Sequence, residues 1–123
     1  MKIHESGQDY LEAILILSQK DAPVRSIDVA KQLGVTKPSV SRAVSLLKNG
    51  KFVNMADDGT LTLTENGLKI AESMYERHRF FTDLLTSLGV NEETAAIDAC
   101  RIEHVVSEES FTKLREHFQK KTK

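Results

Sequence analysis

Cys100, Glu103 and His104 stand at i, i+3 and i+4, a spacing that puts a thiolate, a carboxylate and an imidazole on one face of a helix. Donors of those three kinds can enclose a divalent transition metal. Asp9 and Glu12 stand three apart near the start of the chain, and His78 lies between Arg77 and Arg79 in a long helical stretch. Each group also has an ordinary structural reading. Cys100 can be a small core hydrophobe, His78 a hydrogen-bonded helix residue, and Asp9 and Glu12 a solvated face near a helix start, where negative charge is favourable. Spacing alone leaves both readings open. A second chemistry is carried by charge. Between Val29 and Ala56 every charged side chain is basic, namely Lys31, Lys37, Arg42, Lys48 and Lys51, whereas acids dominate from Glu65 to Glu109. One segment suits phosphates and the other suits cations, a division that a formal net charge of −1 conceals.

The elements that must position these groups follow from periodicity. Residues 6–19 place Tyr10, Leu11, Ile14, Leu15 and Leu17 at helical spacing, with no breaker before Asp21-Ala22-Pro23. Ser26 is expected to cap a short helix from Ile27 to Leu33 that stops at Gly34. After Val35 and Thr36, Pro38 fits the first turn of a further helix running to about Asn49-Gly50. Two helices about a glycine turn form a helix-turn-helix pattern. Phe52-Val53-Asn54-Met55 and Leu61-Thr62-Leu63-Thr64 then alternate about Asp57-Asp58-Gly59, which reads as a β-hairpin, and a hairpin in that place is a wing. Thr64-Glu65-Asn66-Gly67 opens a long helix ending near Leu88-Gly89; Asn91 caps the next, extending through Val105-Val106, and Ser107 caps a last one with Phe111, Leu114 and Phe118. These later helices carry more apolar surface than so short a segment can cover alone. The chain is therefore expected to be mainly α, with a winged helix-turn-helix DNA-binding domain over residues 1–66 and an all-helical metal-binding and dimerisation domain over 67–123.

Thr36, Lys37, Pro38, Ser39, Ser41 and Arg42 crowd the N-terminal end of the recognition helix, where side chains meet base edges in the major groove, while Val40, Val44 and Leu47 form the opposite, core-facing stripe. Arg42 can fork onto a guanine or clamp a phosphate; Lys31, Lys48 and Lys51 suit phosphates. Taken singly, each lysine also reads as an ordinary solvated residue. The coincidence of helix-turn-helix, wing and acid-free basic stretch points to double-stranded DNA.

Bulk properties set outer limits. The chain's 123 residues bury one core, or two small ones sharing a helix, which excludes large catalytic scaffolds. No apolar signal core follows Met1-Lys2-Ile3-His4-Glu5, and no stretch reaches the roughly 20 apolar residues of a membrane span. A soluble cytoplasmic protein with no membrane partner is expected. A single cysteine fits a reducing compartment. The tail Lys120-Lys121-Thr122-Lys123 reads as a solvated end.

Over about the first 115 residues the sequence resembles the diphtheria toxin repressor and manganese repressor (DtxR/MntR) family of bacterial metalloregulators. The resemblance rests on Asp9-Tyr10-Leu11-Glu12, Val35 to Ser41, Leu61 to Gly67, Arg77-His78-Arg79 and Cys100-Arg101-Ile102-Glu103-His104-Val105-Val106-Ser107. It implies a homodimeric repressor, not an enzyme, whose activating metal is held by Asp9, Glu12, His78, Cys100, Glu103 and His104. The pattern mixes two branches. The iron-responsive branch has cysteine at Cys100 but methionine at Asp9; the manganese-responsive branch matches Asp9 and Glu12 but has glutamate at Cys100. Ligands of the iron branch's ancillary site would fall on Thr82 and Ala96, so that site is expected to be absent, and the chain ends before the third, SH3-like domain of that branch. Carboxylates and imidazoles suit Mn(II) or Fe(II), and a thiolate shifts preference toward Fe(II), Zn(II), Co(II) or Ni(II), which makes Fe(II) the first expectation. Two alternatives stand beside it. One is a winged-helix regulator with a vestigial metal site responding to another signal. The other is a metal hydrolase, which the lack of a pocket-forming loop or a separate general base disfavours.

Overall fold

The computed structural model describes residues 5–121. The basic tail expected to be solvated lies outside the residues whose side chains are described. Six helices and one hairpin follow in the order α1 (Glu5–Ser18), α2 (Ser26–Leu33), α3 (Lys37–Asn49), β1 (Val53–Met55), β2 (Leu61–Leu63), α4 (Glu65–Ser87), α5 (Glu92–Ile102) and α6 (Glu108–Lys121). They form two compact units, one running to Ser73 and the other starting at Met74, so the division falls within α4.

In the first unit the apolar stripes of α1, α2 and α3 close on the hairpin. Leu11, Ile14, Val29, Val40, Val53 and Leu61 are all at most 1% exposed, and Val44 and Leu47 join them as expected. Short α2 needs both of its ends satisfied. Its N-cap is Arg25 rather than Ser26: the Arg25 amide donates to the Asp28 carboxylate at 2.9 Å, and the Ser26 side chain is not required. Gly34 ends it at φ 68°, as the glycine predicts. Thr36 caps α3 by accepting from the Ser39 amide at 3.3 Å. β1 and β2 pair antiparallel with Val53 opposite Leu63 and Met55 opposite Leu61, and the Leu61 amide donates to the Val24 carbonyl at 2.7 Å, tying the wing to the segment before α2.

Two backbone positions govern the joint between the wing and the long helix. Lys51 is left-handed, at φ 64°, where glycine would be the relaxed choice. That conformation lets the Phe52 amide reach the Leu47 carbonyl at 2.9 Å and ends α3. The Thr64 hydroxyl donates to the Lys51 carbonyl at 2.7 Å and accepts from the Gly67 amide at 3.1 Å, capping α4. A Cβ on Gly67 would stand 2.0 Å from the Phe52 carbonyl oxygen, so Thr64-Glu65-Asn66-Gly67 is a helix start pressed directly onto backbone.

The second unit has a smaller apolar centre. Phe81, Ala99 and Phe111 are buried, with Phe80, Leu84, Ile102, Val106 and Leu114 packed around them. Phe80 meets Phe81 and Phe111 edge to face, at ring separations of 5.2 and 5.5 Å. Asn91 caps α5 through the Glu93 and Thr94 amides, and Ser107 caps α6 through the Ser110 amide, both as read from sequence. The extent of α5 differs from expectation. It stops at Ile102, and Glu103, His104 and Val105 form a turn instead of continuing the helix to Val106. The turn tightens to i−3 bonding, with the Val105 amide on the Ile102 carbonyl at 3.1 Å, while Arg77 takes the Glu103 and Val106 carbonyls.

Candidate metal centre and nucleic-acid interface

Inside the second unit, three elements direct donors toward one carboxylate. Glu103 is 0% exposed, and neither of its carboxylate oxygens accepts a hydrogen bond from a described residue. Nδ1 of His78, from α4, lies 3.4 Å from Glu103 Oε1. Nε2 of His104, whose side chain is 1% exposed, lies 3.9 Å from the same oxygen. Donor atoms of Cys100, Glu103 and His104 all fall within 4.8 Å of one another. The convergence expected from the i, i+3, i+4 spacing is therefore present, although only Cys100 is inside α5 and the other two ride on the turn after it.

The donor set fits a divalent cation on physical grounds. A carboxylate removed from water without compensation costs several kcal/mol, on the order of the stability of a small domain. Within the second unit the neighbours of the Glu103 carboxylate include two imidazole nitrogens, each capable of ligating through a lone pair. Oxygen and nitrogen donors with one nearby thiol suit the first-row transition ions. Asp9 and Glu12 occupy one face of α1 in the first unit, a turn apart; Asp9 is half-buried and Glu12 is 7% exposed. A buried glutamate on α1 departs from the solvated-face alternative.

Arg77 was absent from the candidates visible in the sequence, and it is integral to this region. It is 6% exposed, donates from Nη1 to the carbonyls of Glu103 and Val106, and pairs through Nη2 with Glu108 at 2.9 Å. Its position immediately before His78 was the available signal, but a basic residue beside a histidine ordinarily reads as solvated.

On the first unit, Val40, Val44 and Leu47 turn the opposite side of α3 outward. Lys31, Thr36, Lys37, Pro38, Ser41, Arg42 and Lys48 are exposed, whereas Ser39 is half-buried. The Thr36 and Ser39 hydroxyls lie 2.8 Å apart and bond one another, so they preorganise the helix start as well as being available to DNA. The exposed side continues through Ser45, Leu46 and Asn49, which the sequence candidates omitted; Ser45 and Asn49 follow Ser41 at i+4 and i+8. A depression of about 570 Å³ lies between the wing and the α4 start, bordered by Lys48, Lys51, Asn54 and Asn66. The wing tip itself is acidic. Asp58 accepts the Thr60 amide at 3.0 Å and faces Arg25 at 3.9 Å, and the Thr60 hydrogen bonds, reinforced by that guanidinium, hold its carboxyl below the usual range.

Among the described residues no helix is long and apolar enough to cross a membrane. Residues 2–61 match the family model of the iron-dependent repressor N-terminal DNA-binding domain, and residues 64–123 match that of the iron-dependent repressor metal-binding and dimerisation domain. A helix-turn-helix type transcriptional regulator of Methanocaldococcus jannaschii is 30% identical, with 94% of each chain covered. The transcriptional regulator MntR of Escherichia coli O6:H1 is 36% identical over 91% of this chain and 72% of its own. A manganese-dependent transcriptional repressor solved in complex with manganese superposes with a TM-score of 0.82 at 26% identity, over 90% of this chain and 51% of that one. The present chain thus spans about half the length of that repressor. With both halves matched in order, the chain belongs to the DtxR/MntR family of iron- and manganese-dependent repressors, which are DNA-binding transcriptional regulators and not enzymes.

Proposed function

We propose that this protein is a homodimeric repressor in which Fe(II) or Mn(II), held by Asp9, Glu12, His78, Cys100, Glu103 and His104, controls binding to a palindromic operator. The observation that carries the reading is the Glu103 carboxylate, fully buried, without a hydrogen-bond donor among the described residues, and faced by the imidazoles of His78 and His104. When bound, the cation would supply positive charge to offset three carboxylates and fix the α1 ligands relative to those of the second unit. The chain's own residues account for the rest. Without a cation, three carboxylates gathered at one site would oppose one another, which disfavours the metal-free form of the site. Leu88, Ile97 and Val105, respectively 72%, 57% and 77% exposed, supply apolar surface that a second copy would cover. A symmetric pair must present two α3 helices one DNA turn apart, so a fixed orientation raises operator affinity, and by linkage operator raises metal affinity equally.

Base contacts fall to Ser41 and Arg42, with Thr36, Lys37, Pro38 and Ser39 at the helix start; Lys31, Lys48 and Lys51 neutralise phosphates. The thiol of Cys100 favours Fe(II) over Mn(II) at equal availability. The manganese of the solved neighbour keeps Mn(II) in contention. The test is anaerobic fluorescence anisotropy on DNA from the protein's own promoter region, with chelator, Mn(II), Fe(II) and Zn(II) in parallel. Binding that tightens at least tenfold with one metal is expected; four coincident curves would leave a DNA-binding regulator answering to another signal.

A further inference from the structure

Past Ile102 the chain turns: the Glu103 amide still reaches the Ala99 carbonyl and the Val105 and Val106 amides share the Ile102 carbonyl, but the Glu103 and Val106 carbonyls lie beyond that ladder. A two-residue ligand pair on such a turn would be free to fray. Arg77 spans that gap. From α4 it donates to the Glu103 carbonyl at 3.0 Å and to the Val106 carbonyl through the same Nη1, while Nη2 reaches Glu108, the first residue of α6. The Phe111 ring stands 5.1 Å from its guanidinium carbon, and the side chain is 7% exposed. A guanidinium is planar, permanently charged and rich in donors, so it holds several acceptors at set separations; an ammonium on a flexible stem does not. Its charge also opposes the negative end of the α5 dipole.

We propose that Arg77 is a positioning residue for metal binding: through the backbone of the Glu103–Val106 turn it holds the Glu103 carboxylate and the His104 imidazole opposite His78, its own neighbour on α4. The inference rests on the metal reading above. It says that ligand geometry on this turn is set by a side chain that is not itself a ligand.

The experiment is an anaerobic Co(II) titration of the full chain and of Arg77→Lys, reading Kd and the visible ligand-field spectrum, alongside the melting temperature of each metal-free protein. Arg77→Lys is expected to fold, to bind Co(II) at least tenfold more weakly and to show altered band positions or intensities. An arginine that only stabilised the fold would lower the melting temperature and leave the Co(II) Kd and spectrum of the folded variant at wild-type values; that result overturns the proposal. Should Arg77→Lys not fold, Glu108→Gln carries the test by removing one exposed partner of Arg77. Two- to fivefold weaker Co(II) binding is then expected, and wild-type Kd and spectrum again overturn the positioning role. Failure of the wild-type chain to bind Co(II) at all is a separate result, which sinks the metal reading and the positioning role together.

Discussion

In the first unit the charged groups suited to DNA stand on the exposed side of α3, behind which fourteen buried residues form a continuous apolar core. The second unit inverts that plan: its buried apolar cluster is Phe81, Ala99 and Phe111, and its interior also holds Arg77 and Glu103. A surface site can be carried by a fold that is stable without it, because solvated charges cost little. An interior site cannot. A buried carboxylate and a buried guanidinium each demand compensation, so the second unit is only as well ordered as the partners those groups find. Apolar surface also remains at Leu88, Ile97 and Val105, which in the proposed homodimer a second copy would cover.

Gly67→Ala attacks the comparison most strongly. With a Cβ 2.0 Å from the Phe52 carbonyl oxygen, the wing and the α4 start must separate, and a loss of about 3 kcal/mol is expected in urea unfolding, together with loss of DNA binding. Wild-type stability for that variant would mean the joint is not a tight contact. Glu103→Gln sharpens the contrast by moving two quantities in opposite directions. Removing the buried charge should raise the stability of the metal-free protein by about 2 kcal/mol while abolishing the metal-induced gain in operator affinity. A metal-free protein that is destabilised instead would show that Glu103 is already compensated without a cation.

Lys51→Gly does the same for the surface unit on a smaller scale. Relief of the left-handed lysine should stabilise by about 1 kcal/mol in thermal melting. Loss of a phosphate contact should weaken DNA binding, with the salt slope reduced by about 1. An unchanged salt slope would remove Lys51 from the interface. Smallest of all is Asp58, whose carboxyl is held below its ordinary value of 3.8 by the Thr60 hydrogen bonds and by Arg25. A depressed folded-state value means that its contribution is present above that ordinary value and lost as pH falls through the lower one. Asp58→Asn should therefore lower the melting temperature slightly at neutral pH, where that contribution is present, and converge with wild type in acid, erasing the small acid-side decline.

The winged helix could be read almost completely from the order of residues, because its governing rules are local. Apolar periodicity marked α1 and α3, Gly34 marked the end of α2, Asp57-Asp58-Gly59 marked the hairpin turn, and Asn91 and Ser107 marked two helix starts. Even the convergence of Cys100, Glu103 and His104 followed from spacing, since the turn after α5 keeps Glu103 close to helical dihedrals, at φ −57° and ψ −27°. What local rules could not supply came from residues distant in the chain. The need for Gly67 arose from a carbonyl fifteen positions earlier. The turn after α5 has its Glu103 and Val106 carbonyls taken by Arg77, a charged donor twenty-six residues before Glu103 that no nearby residue announces. Periodicity reports which side of an element is apolar; it carries no information about which buried charge will find which buried acceptor, and in the second unit that pairing fixes the turn that carries Glu103 and His104.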